Sequence, residues 1–318
     1  MSGGHHHGHG HAHGAERGTL TRNAALASVS MALVLILLKS WAAWQTGSTA
    51  LLGSLADTAL DFFASVITLI GVRVAAMPAD DKHRFGHGKA EALVAMVQLI
   101  LITGSALWIG WRSVTRWMAG AVTAEAEYGI GVSLIAIVLT LGLLAYQRSV
   151  IRKTGSVAIA TDNLHYQSDL LLNGAVIAAL VLDGMLGLRG ADPLFGIGIA
   201  AWLLWGAWRS TSDVLDQLLD REWPVERKRT LLDALADFPE AKTIHLLKTR
   251  TSGAQEFVQF HLWFPADTSI AVAHDVMVLM EERIEALVPG VEVMIHAEPE
   301  DDALEEVGYH PSEMASDT

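Results

Sequence analysis

Residues 53–72, GSLADTALDFFASVITLIGV, and residues 160–182, ATDNLHYQSDLLLNGAVIAALVL, decide the fold. Both are long apolar runs, and each carries two ionisable side chains four residues apart: Asp57 with Asp61, and His165 with Asp169. Helical periodicity stacks such pairs on one face, so four titratable groups converge if the two helices are neighbours. Charge at bilayer depth is costly and marks an ion pathway. A hydrogen bond between helices accounts for one such group. Two acidic pairs leave too much charge for that explanation.

Working outward, 51 % of the 318 residues are hydrophobic, and the apolar material fills the first two thirds of the chain. Six spans are predicted, at 22–45, 49–77, 90–118, 127–149, 157–185 and 194–212, each near or above the ~20 residues that cross the hydrocarbon core. The chain is therefore expected to be a multi-pass membrane protein embedded in a lipid bilayer. Lys82, Arg84 and Lys89 lie between spans two and three, and Arg148, Arg152 and Lys153 between spans four and five. The positive-inside rule puts these loops, and with six spans both termini, in the cytoplasm, although Arg112, Arg116 and Arg189 lie toward the other side. The first apolar run is longer than the ~7–15 residues of a signal-peptide h-region, so no cleaved leader is expected.

Charge separates the two parts of the chain. Residues 213–318 hold 8 Lys/Arg against 23 Asp/Glu, whereas residues 1–212 are nearly balanced. Such an acidic domain suits divalent cations and excludes nucleic acid as a partner. With no cysteine in the chain, any metal must be held by His, Asp and Glu.

Three further histidine groups follow. HHHGHGHAHG at 5–14 holds six of the 14 histidines; a Gly/Ala-interleaved tract builds no core, so residues 1–20 are expected to form a disordered, metal-gathering arm. In the loop PADDKHRFGHGKAE at 78–91, Asp80, His83 and His87 have the spacing of a local metal site. It is not a zincin helix, because Arg84 stands where the general base belongs and a glycine interrupts the run. Beyond residue 212 the pattern becomes amphipathic: helix at 225–238, strands at 242–250 and 255–264, helix at 269–288, strand at 291–296. This αββαβ order predicts a small ferredoxin-like α+β domain with helices on one sheet face. Side chains alternate along strands, so His261 opposes Val258, Phe260, Leu262 and Phe264; His296 opposes Val291, Val293 and Ile295; and His245 opposes Ile244 and Leu246. One surface histidine needs no metal to explain it, but three in phase on three strands point to a site, with Glu298 in the right parity to join. Residues 299–318 are acidic and polar, and are expected to be disordered.

Asp57, Asp61, His165 and Asp169 supply one nitrogen and three carboxylates, a set that tetrahedral Zn²⁺ accepts and Mg²⁺ or Ca²⁺ suits less. Protons bind the same atoms and must compete with metal. With no nucleophile motif, the chain is not read as an enzyme. A membrane metal sensor or storage protein would keep the domain histidines without needing intramembrane acids, and a carrier of organic solutes would have no use for histidine clusters.

The D-x-x-x-D and H-x-x-x-D pairs, the PADDxHxFGHGKAE loop and the αββαβ domain together resemble the cation diffusion facilitator family, in its bacterial zinc-transporting branch, over about residues 20–298. The resemblance implies a domain order of His-rich tail (1–20), six-helix transmembrane domain (21–212), cytoplasmic metal-binding domain (213–298) and acidic tail (299–318). It implies a transport site at Asp57, Asp61, His165 and Asp169, and a loop site at Asp80, His83 and His87. A binuclear cytoplasmic site would use His245, His261, His296 and Glu298, where family members carry Asp, with His274 as a further or bridging ligand. Lys89 and Asp220 match a charge pair joining protomers. The implied machine is a homodimer in the bacterial inner membrane that exports Zn²⁺, or Cd²⁺, Fe²⁺, Co²⁺ or Mn²⁺, by alternating access in exchange for protons, its cytoplasmic domain sensing metal.

Overall fold

In the computed structural model of the chain, the described residues are 10–46, 49–119, 130–186 and 191–300. They divide into two compact units, one of residues 17–216 and a C-terminal one from residue 217 with which the residues before 17 are grouped. The first is helical: α1 (Gly10–Thr46), α2 (Thr49–Ala75), α3 (Ala90–Met118), α4 (Ile130–Thr154), α5 (Val157–Leu186) and α6 (Ala191–Leu218). Residues 16–45, 57–75, 90–118 and 134–154 are long and apolar enough to cross a membrane. The 30 residues of α5 and 28 of α6 rise about 1.5 Å each, enough to span the same thickness.

Two boundaries differ from expectation. α1 begins at Gly10, inside the segment that composition reads as a disordered arm; residues 1–9 lie outside the described residues. Extending a helix by one residue costs far less than nucleating one, so a long apolar helix draws its polar flank into register. Arg152 and Lys153, expected in a loop, form the last turn of α4, where the helix dipole favours cations. Only Gly155, at φ +65°, and Ser156 separate α4 from α5.

The helices approach closely through small residues, as membrane helices do. A Cβ on Gly71 of α2 would overlap Val94 of α3, and one on Gly196 of α6 would overlap Ser113 of α3. Ala24, Ala25, Leu69, Val72, Val150, Ala158 and Ile159 form one buried cluster joining α1, α2, α4 and α5.

The C-terminal unit has α7 (Val225–Leu235), a 3₁₀ turn (Pro239–Thr243), β1 (His245–Ser252), β2 (Gln255–Phe264), α8 (Ile270–Leu287) and β3 (Val291–Pro299). The αββαβ order is as predicted. In sheet order β1-β2-β3, β1 and β2 are an antiparallel hairpin and β2 and β3 run parallel. Parallel neighbours need a crossover, which α8 supplies, its first turn capped by Ser269 Oγ accepting from Val272 N–H. Leu231 and Leu235 of α7 and Ala273, Met280 and Ile284 of α8 bury Val258, Phe260, Leu262 and Phe264 of β2. The helices thus cover one face, leaving His245, His261 and His296 on the other.

One expectation on β1 fails. Leu246 has φ +49° and is half exposed, and the register slips between His245 and Lys248; Leu247, not Leu246, packs on the core. A bulge inserts one residue and reverses the parity beyond it.

Candidate metal centre

Helices α2 and α5 pack together so that Asp61 of α2 faces His165 and Asp169 of α5. His165 Nε2 lies 3.0 Å from Asp61 Oδ1 and 3.8 Å from Asp169 Oδ2, and one donor atom from each of the three lies within 4.8 Å of the others. These side chains open on a cavity of about 740 Å³. Asp57 lines the same cavity but is exposed and stands outside the group of three. Its place one turn before Asp61 sets it about 6 Å along the helix axis.

The residues behind this cluster were missed by the sequence reading. Asp162, three residues before His165 on α5, is fully buried. It accepts hydrogen bonds from Ser28 Oγ of α1 at 2.6 Å and Gln147 Nε2 of α4 at 2.7 Å, with Gln98 Nε2 of α3 at 3.4 Å. Gln147 also donates to Ser28 Oγ, and its own Oε1 accepts from Asn163 at 2.9 Å. Tyr166 OH meets Ser65 Oγ at 2.9 Å and donates to the Ser28 carbonyl. At the other end of the same stretch, Glu91 of α3 accepts from Ser156 Oγ and from Ala158 N–H, placing a carboxylate on the N-terminus of α5. The helix that carries His165 and Asp169 is therefore pinned on both its buried face and its first turn. Their only signal in the sequence was that polar residues recur within apolar runs.

In the loop, Gly86 (φ +75°) turns the chain back so that the His83 and His87 rings lie 4.4 Å apart. Asp80 Oδ1 accepts from His83 N–H at 2.6 Å and Lys82 N–H at 2.8 Å, and its other oxygen lies 3.6 Å from His87 Nε2. The His83 amide, then that of Lys82, holds the Asp80 carboxyl below the usual carboxylate range. His87 turns Nε2 toward Asp80, and its Nδ1 is buried with no hydrogen-bond partner among the described residues.

On the sheet, His245, His261 and His296 stand side by side through the pairings His245 with His261 and His261 with His296. Glu298 reaches across them: Oε2 is 3.1 Å from His245 Nε2, and Oε1 is 2.8 Å from His261 Nδ1 and 3.6 Å from His296 Nε2. Hydrogen bonding by His261 and then His245 pulls the Glu298 pKa down. His245 Nδ1 lies 2.9 Å from the Thr243 carbonyl and must donate to it. Its Nε2 then turns a lone pair on a carboxylate oxygen, unless a proton or a cation sits between them. His274 is exposed on α8, across the sheet from this cluster. Asp220, at φ +57°, pairs with Arg250 at 3.3 Å, and Lys89 is the N-cap residue of α3.

A bundle of long apolar helices with an acid–imidazole cluster, joined to a small sheet domain faced with histidines, defines a polytopic membrane protein built to handle metal cations. Residues 25–219 match the cation efflux transmembrane domain, and residues 223–300 match the cation efflux protein cytoplasmic domain. The chain belongs to the cation efflux family of transporters. It is 40 % identical to the cation-efflux pump FieF of Salmonella arizonae over 282 residues, 89 % of this chain and 94 % of that one. It is also 40 % identical to FieF of Pectobacterium atrosepticum over 276 residues, 87 % and 92 % of the two chains. A solved chain from work on the zinc-transporter candidate CzrB aligns with 25 % of this chain and 99 % of its own length, at 31 % identity and a TM-score of 0.23.

Proposed function

We propose that the protein exports a divalent metal, Zn²⁺ foremost, from the cytoplasm in exchange for protons, as a homodimer working by alternating access in a bacterial inner membrane with both termini cytoplasmic. One observation carries this reading: Asp61, His165 and Asp169, from two neighbouring helices, present an imidazole and two carboxylates to a single point in a cavity, with Asp57 beside them. The donor set is that of a borderline-soft cation such as Zn²⁺, and Cd²⁺, Fe²⁺, Co²⁺ and Mn²⁺ are the competitors. Every donor atom also binds a proton, so protons arriving from the far side expel the metal, and metal arriving from the cytoplasm expels protons.

Asp80, His83 and His87 gather metal at the loop, and His245, His261, His296 and Glu298 sense it. Sensing requires that metal bind one conformation of the dimer better than another; in this reading His274 bridges, and Lys89 pairs with Asp220, across the two protomers.

Flux into proteoliposomes tests the reading. Zinc transport driven by a pH gradient is expected, with at least a hundredfold loss in Asp61→Ala and in His165→Ala. Undiminished flux in these variants would remove the assigned site, and metal binding without flux in the wild type would favour a sensor or storage protein.

A further inference from the structure

The cavity that holds the acid cluster also holds a cation of the protein's own. Lys39 of α1 lines it together with Asp57, Asp61, His165 and Asp169. Its Nζ donates to Thr58 Oγ1 at 2.6 Å and to the Ser54 carbonyl at 3.4 Å. Thr58 spends its own hydrogen on the same carbonyl, at 3.0 Å, so its oxygen is free to accept. Thr58 is itself 2 % exposed and sits on α2 between Asp57 and Asp61. The ammonium is therefore docked in a two-oxygen cradle on the helix that carries the acids, with its third donor unspent and its charge felt by Asp57, Asp61 and Asp169. Among the described residues it forms no direct ion pair. A lysine that shares a cavity with three carboxylates yet is held on a hydroxyl and a carbonyl is a parked charge. Its flexible four-carbon stem lets the ammonium change partners within the cavity.

We propose that Lys39 is an affinity-setting residue of the transport site: a tethered cation that shares the acidic cavity with the transported metal, repels it while parked on Thr58, and takes its place on the carboxylates when the metal leaves. This rests on the transport-site reading above and deepens it. A site of three acids and one imidazole without such a charge would bind a divalent metal tightly and release it slowly. The resident ammonium lowers affinity and keeps the empty site from standing as uncompensated negative charge in a low-dielectric setting.

The inference gives two substitutions opposite signs. Zn²⁺ binding is measured by calorimetry on the full chain in detergent, in a background carrying His83→Ala and His261→Ala so that the transport site dominates. Lys39→Met is expected to tighten binding by roughly tenfold or more, because it removes a like charge from the cavity that the metal enters, and to slow zinc turnover in proteoliposomes. Thr58→Val removes the cradle, frees the ammonium to reach the acids, and weakens binding by a similar factor. The double variant is expected to bind like Lys39→Met, because the cradle has no effect without its occupant, and Lys39→Arg to rescue both affinity and turnover. Thermal melts identify any variant that fails to fold, and either single substitution then carries the test. Unchanged or weaker binding in folded Lys39→Met, or tighter binding in folded Thr58→Val, would overturn the proposal. Asp61→Ala in the same background separates the two levels: if it too leaves binding intact, the transport-site reading has failed rather than the role of Lys39.

Discussion

Asp162 is fully buried, and the side chains it meets, Ser28, Gln98 and Gln147, all turn hydrogens toward it. Truncation would leave the Gln147 and Gln98 amide hydrogens that point at it without an acceptor, each costing about 1–3 kcal/mol when buried, while Ser28 Oγ can still donate to the Ala24 carbonyl at 3.2 Å. Asp162→Ala is therefore expected to lower the melting temperature of the detergent-solubilised protein by several degrees; a melt matching the wild type would show that the network is dispensable. At the sheet, acid should act through Glu298. Its folded pKa lies below the unfolded value of about 4.5, so its hydrogen bonds with His261 and His245 stabilise the fold above that pH. The contribution is lost as pH falls through the folded value. Glu298→Gln is expected to erase this part of the acid-denaturation profile, and an unchanged profile would refute the assignment. The i,i+4 acid pairs were legible because spacing on a helix is a property of sequence. Asp162 and Lys39 were not, since which oxygen a buried charge meets depends on helices far away in the chain.

At the scale of elements, α2 and α3 touch through Gly71 and Val94, and α2 carries Asp61. A larger side chain there must push the helices apart. Gly71→Leu is expected to cost about 1–3 kcal/mol of stability through overpacking and to depress zinc flux, which a proteoliposome assay reads directly; wild-type flux and melting would show that this approach is slack. In the C-terminal unit, Leu246 stands in the left-handed region while Leu247 packs on the core. Leu246→Gly should leave the melting point unchanged or raise it, whereas Leu247→Gly should lower it by the loss of a half-buried side chain. The opposite ranking would reject the bulge. Strand alternation placed His245 correctly and Leu246 wrongly for one reason: parity holds until an extra residue enters a strand, and nothing local in TIHLLK announces one.

For the whole molecule, the histidine sheet should couple metal to stability. Zn²⁺ is expected to raise the melting temperature of the wild type, and His261→Ala to remove much of that rise and lower the metal stoichiometry seen by calorimetry; an undiminished rise would place the stabilising metal elsewhere. The six long helices and the αββαβ unit could be foreseen from the sequence alone, and so could the three places where acids and imidazoles gather. Apolar run length, period and the parity of charged residues are local quantities that a bilayer or a sheet reads directly. Only the tertiary structure decided that Asp61, His165 and Asp169 meet while Asp57 stands a turn away, that Glu298 bridges three strands, and that Lys39 sits on Thr58 inside the acid-lined cavity. Those are distances between residues remote in sequence, set by how the helices and strands pack against one another, and packing has no local signature.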